Sequence, residues 1–280
     1  MDWPSAFICR QQLGDSCMRV GVFDSGVGGL SILEAISTAI PEVDLSYCCD
    51  NENFPYGTKT ESVVIDCATE ITKKFVEHGQ IDVLVIACNT ASTVALPKIR
   101  SLLAIPVVGV VPAVKPAAER SKSKVIGILA TPATISRPYL ESLIQEFAKD
   151  FRVIKCGSSE LVEMAERKLR GEALSTEAIR RELKPIIDAL PHGVDQLVLG
   201  CTHFPLLAEE IRRVLPESVA FVDSGQAVAA RVRTVFSDLE QKNVKSRSKT
   251  TEKLSGWCSG ASLTLSMPGA LGKLVLRTLP

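Results

Sequence analysis

The chain has 280 residues, with 32 basic and 32 acidic side chains and a formal net charge of zero. This length allows one large domain or two modest ones, and the zero net charge argues against nucleic acid or an anionic membrane as a partner. Apolar residues make up 46% of the chain and aromatic residues only 5%, which favours an α/β core of Val, Ile, Leu and Ala.

Cysteine usage and apolar runs bear on the cellular compartment. The nine cysteines are an odd number and lack CxxC spacing, which predicts reduced thiols without a disulfide framework or a metal site. No apolar run reaches the about 18 residues of a membrane-spanning helix. Residues 1–17 lack the charged start and apolar core of a signal peptide. We therefore expect a cytoplasmic protein in which 1–17 form a loose amino-terminal extension.

From residue 18 onward, predicted strands alternate with predicted helices. The strands are apolar runs at 18–24, 44–49, 82–87, 106–111, 124–130, 151–155, 195–200 and 219–223. The helices are expected at 30–40, 61–78, 89–103, 138–149, 160–170, 175–190, 203–215 and 224–241. This alternation predicts an α/β protein with parallel sheets. Residues 242–253 are basic and are expected to form a solvated connector, and the tail that follows is expected to form a last strand and a helix.

Two distant stretches, 82–92 and 195–205, nearly repeat each other. Each begins with Asp, continues through an apolar run and reaches a cysteine, Cys88 or Cys201, that is followed by hydroxyl or amide side chains. Such a run predicts a strand buried on both faces, and ligands bind at the carboxyl ends of parallel strands. The repeat therefore predicts two related halves whose thiols face one small molecule.

Two opposed thiols suit inversion at a chiral carbon. One thiolate removes the proton while the other thiol delivers a proton to the opposite face. A position at a helix start favours the thiolate, so we expect lowered thiol pKa values. Asn89, Thr90, Thr202 and His203 follow the two cysteines and can stabilise the enolate charge that develops.

The glycine-rich segment 24–29 does not fit a nucleotide loop. Its spacing stops short of the dinucleotide pattern, and no Walker lysine follows. We expect its backbone N–H groups to approach a small anion, such as a carboxylate or a phosphate. Asp24, at the end of the first strand, could act at this site or could simply cap the helix that follows.

Five motifs, taken together, resemble those of the bacterial glutamate racemases in the Asp/Glu racemase family. They lie in order at 23–29, 55–57, 87–92, 199–205 and 222–225. The resemblance implies interconversion of L- and D-glutamate without pyridoxal phosphate or metal, to supply D-glutamate for peptidoglycan. It also implies two facing, pseudo-symmetric α/β domains with central parallel sheets and the active site at their interface. The domains would comprise 18–112 with 223–280, and 113–222.

The same resemblance assigns residue roles. Cys88 would take the proton from D-glutamate with help from Asp24, and Cys201 would take it from L-glutamate with help from His203. A further glutamate near the first cysteine would be Glu163 or Glu166, and the spacing favours Glu166. The residues expected to contact substrate are Asp24, Ser25, Pro55, Tyr56, Gly57, Asn89, Thr90, Thr131, Thr134, Thr202 and His203.

Several alternatives stay open at this point. A sister racemase could act on aspartate or a hydantoin with the same two thiols. A Cys–His hydrolase would use only one thiol as its nucleophile, and a glutamate-binding or gyrase-binding regulator would use neither. The resembling branch includes members activated by a UDP-muramoyl-alanine precursor, so such an activator is one expectation. The protein is expected to be a monomer or a homodimer.

Overall fold

The computed structural model describes residues 18–242, 244–246, 252–266 and 273–280. The predicted amino-terminal extension, 1–17, and part of the basic connector, 242–253, lie outside the described residues. The strands are β1 (Arg19–Asp24), β2 (Asp44–Cys49), β3 (Val83–Ile86), β4 (Val107–Gly109), β5 (Val125–Ala130), β6 (Arg152–Gly157), β7 (Gln196–Leu199), β8 (Ala220–Val222), β9 (Leu254–Cys258), β10 (Leu263–Ser266) and β11 (Lys273–Thr278).

Helices connect most of the strands. They are α1 (Leu30–Ala39), α2 (Glu61–His78), α3 (Asn89–Val94), α4 (Leu96–Leu102), α5 (Val114–Arg120), α6 (Pro132–Ser136), α7 (Pro138–Phe147), α8 (Glu160–Leu169), α9 (Thr176–Glu182), α10 (Lys184–Ala189), α11 (Ala208–Arg212) and α12 (Gly225–Gln241). Short 3₁₀ turns lie at Asn51–Asn53, Tyr56–Thr58, Leu190–His192 and Phe204–Leu207. No helix in the described ranges has the length and apolar character needed to cross a bilayer.

The strands form two sheets with the same central order. The first sheet runs β10-β11-β9-β2-β1-β3-β4, and the second runs β6-β5-β7-β8. Every pairing is parallel except that of β10 with β11. The order β2-β1-β3-β4 in the first sheet matches β6-β5-β7-β8 in the second. The predicted α/β class and the related halves are therefore confirmed.

Burial explains why the central strands carry almost only apolar residues. All four residues of β3 are fully buried because helices cover both faces of the sheet. Burying each such side chain contributes roughly 1.5–3 kcal/mol. One apolar cluster contains Leu33 and Val228 beside the first sheet and also Leu197 of β7 and Phe204 of the 3₁₀ turn that follows it. The two sheets therefore share a continuous core.

The first sheet is built from two separate parts of the chain. Its strands come from 19–109 and 254–278, whereas 125–222 supply the whole second sheet. Helix α12 follows the second sheet in the chain and packs against α1. The predicted domain boundaries at 112/113 and 222/223 stay predictions.

The prediction of a helix in the tail is wrong. Residues 273–278 form β11, which pairs with β9, and β9 pairs with β2. The side chains of Leu274 and Leu276 are buried while those of Val275 and Arg277 are exposed. This alternation has the period of two residues that a strand requires.

Three predicted helices are interrupted. The first of these, 89–103, divides into α3 and α4; 175–190 divides into α9 and α10; and 203–215 consists of a 3₁₀ turn followed by α11. Each interruption lies beside a proline, namely Pro97, Pro185 or Pro205. Proline lacks the N–H that continues a helix, so each new helical segment begins near it.

The side chain of Arg19, in β1, forms hydrogen bonds with the carboxyl-terminal tail. Its side chain is only 2% exposed. The guanidinium donates to the Glu252 carbonyl oxygen at 2.6 Å and to Ser255 Oγ at 3.2 Å, and it lies 3.6 Å from Asp44 Oδ2. Both hydrogen-bond acceptors of the buried guanidinium therefore lie far along the chain, 233 and 236 positions after Arg19.

Candidate active site

Both cysteines line one cavity at the carboxyl ends of β1, β3 and β7. The cavity is also lined by every residue that was expected to contact substrate: Asp24, Ser25, Pro55, Tyr56, Gly57, Asn89, Thr90, Thr131, Thr134, Thr202 and His203. Phe54, Thr58, Ser159 and Val162 line it as well and were not predicted. Phe54 and Thr58 flank the 55–57 motif and could have been found by extending it, whereas Ser159 and Val162 carried no signal in the sequence.

Cys88 lies two residues after the end of β3 and is the N-cap residue of α3. Its Sγ accepts a hydrogen bond from the Ala91 N–H at 3.5 Å and lies 3.7 Å from Ser25 Oγ. Ser25 Oγ in turn donates to Asp24 Oδ1 at 3.3 Å. Asp24 therefore reaches the first thiol through the Ser25 hydroxyl rather than by direct contact.

The expected lowering of the thiol pKa is wrong for Cys88. Burial and the nearby Asp24 carboxyl raise the pKa of this thiol to about 12, although the Ala91 N–H and Ser25 act in the opposite direction. Helix α3 has only six residues, so its dipole is too weak to offset the loss of hydration. In this structure Cys88 carries its proton at neutral pH.

Cys201 follows β7 and has a different neighbour. Its Sγ lies 3.8 Å from His203 Nδ1, and His203 Nε2 lies 2.9 Å from Glu166 Oε1. The same Glu166 oxygen accepts the Val27 N–H at 2.8 Å. The second thiol is thus the first member of a buried thiol–imidazole–carboxylate series.

The imidazole and the carboxylate of this series are both charged. Burial alone would lower the pKa of His203, but its hydrogen bonds to Cys201 and Glu166 and their charges hold that pKa well above its ordinary value. Burial would raise the pKa of Glu166, but His203, the Val27 N–H and Arg170 lower it. A buried imidazolium therefore lies beside the Cys201 sulfur, where it stabilises negative charge.

The geometry distinguishes the two candidate glutamates. Glu163 is exposed on α8, while Glu166 is 5% exposed and contacts His203. Glu166 is therefore the glutamate that reaches the site, as the spacing favoured. The expectation that it lies near the first cysteine is wrong, because its hydrogen bonds connect it to His203 and so to Cys201.

Hydrogen bonds cross between the two sheets at the cavity. Thr202 Oγ1, after β7, donates to Asp24 Oδ2 at 2.9 Å. Ser31 Oγ, on α1, donates to the Thr202 carbonyl oxygen at 2.9 Å. Burial raises the pKa of Asp24, and His203 and the Thr202 hydroxyl partly offset that rise. The residues around each thiol therefore include side chains from the other half.

The glycine-rich loop makes this contact between the halves sterically feasible. A Cβ at Gly28 would lie 2.4 Å from His203 Nδ1 and 2.5 Å from Thr202 Oγ1, and one at Gly26 would lie 2.3 Å from Glu166 Oε1. Two of the loop N–H groups donate to carboxylates of the protein, that of Gly26 to Asp24 and that of Val27 to Glu166. These two N–H groups therefore bind carboxylates of the protein's own acid–base residues, whereas the sequence predicted that the loop N–H groups would approach a small anionic ligand.

Polar groups on the remaining walls can receive a ligand. Asn89 Oδ1 is buried without a hydrogen-bond partner among the described residues. Thr131 Oγ1 and Thr134 Oγ1, which also line the cavity, lie 3.0 Å apart, and Thr131 caps α6. In the ranges that the structure describes, His, Cys, Asp and Glu nowhere form a group of three that could hold a metal ion.

Residues 25–232 match the Asp/Glu/Hydantoin racemase family. The chain belongs to this family. It is 50% identical to the glutamate racemase of Pectobacterium atrosepticum over 219 residues, which cover 78% of this chain and 76% of that protein. It is 44% identical to the glutamate racemase of Salmonella typhimurium over 259 residues, which cover 92% of this chain and 91% of the relative.

Solved structures of family members have the same fold. The crystal structure of Escherichia coli glutamate racemase with L-glutamate and the activator UDP-MurNAc-Ala aligns with a TM-score of 0.80 at 41% identity, covering 88% of this chain and 90% of that chain. A glutamate racemase isoform from Bacillus anthracis aligns with a TM-score of 0.73 at 30% identity, covering 88% of this chain and 90% of the other. The predicted two-domain α/β fold of this family is confirmed.

Proposed function

We propose that this member of the racemase family interconverts L- and D-glutamate by proton transfer between the substrate α-carbon and two cysteine thiols, and so supplies D-glutamate for peptidoglycan synthesis. The main support for the proposal is that Cys88 and Cys201 lie at equivalent strand ends of the two sheets and line one cavity. The relatives that are 44–50% identical are glutamate racemases, which favours glutamate over aspartate or a hydantoin.

The different surroundings of the two thiols indicate which one acts as the base and which as the acid when L-glutamate is converted to D-glutamate. The imidazolium of His203 stabilises the Cys201 thiolate, which takes the α-proton of L-glutamate. The protonated Cys88 thiol then donates its proton to the opposite face of the carbanion. The products are D-glutamate, a Cys88 thiolate and a Cys201 thiol. The same groups, in this second protonation state, carry out the reverse reaction.

The assisting residues follow from their contacts. Glu166 keeps His203 charged, and Asp24 acts on Cys88 through the Ser25 hydroxyl. The free amide oxygen of Asn89 suits the substrate ammonium group. We propose the remaining cavity residues as substrate contacts, as expected from the sequence: Pro55, Tyr56, Gly57, Thr90, Thr131, Thr134 and Thr202.

Activation by a cell-wall precursor is a further part of the proposal. The Escherichia coli relative was crystallised with the activator UDP-MurNAc-Ala. That relative is 41% identical to this chain and aligns over 88% of it, which supports the same regulation here. We expect addition of UDP-MurNAc-Ala to raise kcat/KM for glutamate. Sedimentation of the same sample distinguishes the two expected states, monomer and homodimer.

Proton NMR in deuterated water tests the proposed activity directly. Purified protein is incubated with D-glutamate, with and without UDP-MurNAc-Ala and with no added cofactor, and the enantiomers are separated on a chiral column. We expect L-glutamate to form with deuterium at its α-carbon. If glutamate is not converted under either condition, the proposal is wrong, and L-aspartate becomes the next substrate to test.

A further inference from the structure

A buried carboxylate behind the cavity wall has no part in the proton transfer described above. Asp50 lies directly after β2 and is fully buried. Its Oδ2 accepts the Tyr56 hydroxyl at 2.6 Å, and its Oδ1 accepts the Ser259 hydroxyl at 2.7 Å. Asn53 Nδ2 lies 3.1 Å from both oxygens. These four contacts hold the carboxylate in one orientation.

Tyr56 connects this carboxylate to the cavity. Its side chain lines the cavity and is 1% exposed, and its ring lies against that of Phe23 with the ring centroids 6.4 Å apart. Burial and the charge of Asp50 raise the pKa of Tyr56 well above its ordinary value, so the hydroxyl keeps its proton and donates a hydrogen bond to Asp50. Asp50 thereby determines where this wall of the cavity lies.

Ser259 brings the carboxyl-terminal tail into the same group of contacts. It follows β9, and its N–H donates to the Cys49 carbonyl oxygen at 3.0 Å, which continues the strand pairing. Its hydroxyl donates to Asp50 and accepts the Glu52 N–H at 2.9 Å. One side chain of the tail thus bonds both to Asp50 and to the backbone of the segment that leads to Tyr56.

The next residue shows how closely the tail approaches this segment. Gly260 has a φ of +72°, and a Cβ at this position would lie 2.8 Å from Glu52 Cγ. An L-residue would be strained in this conformation and would also collide with Glu52. The chain therefore turns sharply after Ser259 and packs directly on the segment 51–58.

We propose that Asp50 and Ser259 are positioning residues that hold Tyr56 and the segment 51–58 against the cavity, so that the carboxyl-terminal tail takes part in binding the substrate. The effect on glutamate kinetics rests on the function proposed above, whereas the effect on the segment itself does not. A cavity wall contacts the substrate equally in its ground state and in the transition state. Loss of its position therefore raises KM more than it lowers kcat.

The kinetic test uses Ser259→Ala. We expect KM for glutamate to rise about tenfold with kcat within about twofold, because one hydrogen bond to a buried charged group is lost. Ser259→Thr keeps the hydroxyl and is expected to restore KM to within about threefold of the original value. Ser262→Ala is the matched control, since among the described residues this exposed hydroxyl of the same tail contacts Thr278 Oγ1 alone, at 3.4 Å.

A double-mutant cycle separates positioning from a general loss of stability. In a Tyr56→Phe background the hydroxyl bonded to Asp50 is absent, so Ser259→Ala is expected to add little to KM. If the two substitutions multiply their effects on KM, Ser259 does not act through Tyr56 and the proposal is overturned.

Hydrogen exchange of the free protein tests the position of the segment without turnover. We expect amides of 51–58 to exchange faster in Ser259→Ala than in Ser262→Ala, with the rest of the first sheet unchanged. Faster exchange in a chain that does not racemise glutamate would support the positioning role and contradict the proposed function. Unchanged exchange of 51–58, or an unchanged KM in an active enzyme, would overturn the positioning role.

Discussion

The two thiol sites occupy equivalent places in the fold but have opposite electrostatic surroundings. Cys88 after β3 lies near the carboxyl group of Asp24, which helps to raise its pKa to about 12. Cys201 after β7 lies beside the imidazolium of His203, which Glu166 keeps charged. The repeated backbone thus places two thiols on one cavity, and the side chains around them differ: a carboxyl group lies near Cys88, whereas an imidazolium lies beside Cys201.

Replacing either thiol is the strongest test of this comparison. Cys88→Ser and Cys201→Ser are each expected to lower racemisation in both directions by about 10²–10⁴-fold, because inversion needs a base on one face and an acid on the other. Each variant keeps one thiol, so each is expected to exchange the α-proton of one enantiomer with solvent. Cys88→Ser should exchange that of L-glutamate at neutral pH, whereas Cys201→Ser should exchange that of D-glutamate more slowly, and faster as the pH rises toward the pKa of Cys88 at about 12. Proton NMR in deuterated water would show both.

The control for these variants is Cys156→Ser. This buried thiol bonds to the Glu182 carbonyl oxygen away from the cavity, so its replacement is expected to leave racemisation unchanged. Full racemisation by either cavity variant would refute the two-thiol mechanism.

Gly28→Ala is expected to disturb the second thiol site through packing alone. The new methyl group would lie 2.4 Å from His203 Nδ1 and would push the imidazole away from Cys201. Displacement of this size is expected to lower kcat about a hundredfold. Gly157→Ala is the control because, among the described residues, the nearest atom to a Cβ added at Gly157 would be Pro132 Cα, at 3.4 Å. Circular dichroism confirms that both variants fold, and equal kcat values in the two would contradict the expectation.

Glu166→Gln is expected to remove the charge difference between the two sites. Without the carboxylate the pKa of His203 falls, so the imidazolium is lost at a lower pH. We expect the alkaline limb of kcat for L-glutamate to move to lower pH, and kcat at neutral pH to fall by about 10- to 100-fold. A pH–rate profile measures both.

Arg170→Gln is the matched control for Glu166→Gln. The Arg170 guanidinium lies 3.8 Å from Glu166 Oε2 with its side chain 53% exposed, so its removal is expected to change kcat less than about threefold. If the alkaline limb stays in place in Glu166→Gln, the carboxylate does not hold His203 in its charged form.

Thr202→Val is expected to have the smallest effect, on the first thiol site. The hydroxyl that crosses from the second sheet to Asp24 Oδ2 is lost, which leaves a buried carboxylate with one donor fewer. We expect kcat/KM to fall about tenfold. Thr72→Val is the control, since within the described part of the chain that buried hydroxyl bonds only to carbonyl oxygens of its own helix. A change equal to that of the control would mean that the contact between the halves does not influence the chemistry.

Local sequence patterns determine the buried strands and the repeat of the two halves, and both were predicted from the sequence. The apolar runs ending at Cys88 and Cys201 predicted buried parallel strands, and the near repeat predicted two related halves. Pro97, Pro185 and Pro205 lie inside the predicted helices 89–103, 175–190 and 203–215, and each is a local signal for the helix boundary that the structure shows near it. The tail was misassigned because a short apolar run does not by itself distinguish a strand from a helix.

The remaining differences depend on contacts between distant residues. The pKa of Cys88 follows from burial and from Asp24, which lies 64 positions earlier in the chain (88 − 24). Glu166 reaches the site, as the spacing favours, but its contact with His203 depends on how α8 packs against the turn after β7. The hydrogen bond between Asp50 and Ser259 joins residues 209 positions apart, and neither residue carried a signal in the sequence.

The buried guanidinium of Arg19 has a consequence for the order of folding on the ribosome. Its hydrogen-bond acceptors Glu252 and Ser255 follow the entire second sheet in the chain, so a shorter nascent chain keeps the ion pair with Asp44 but lacks both of these hydrogen bonds. Leaving a buried charge incompletely paired costs several kcal/mol. We therefore expect a nascent chain that has emerged only as far as residue 242 to protect the second sheet from protease, but not the first. The segment that is synthesised first would then complete its fold last.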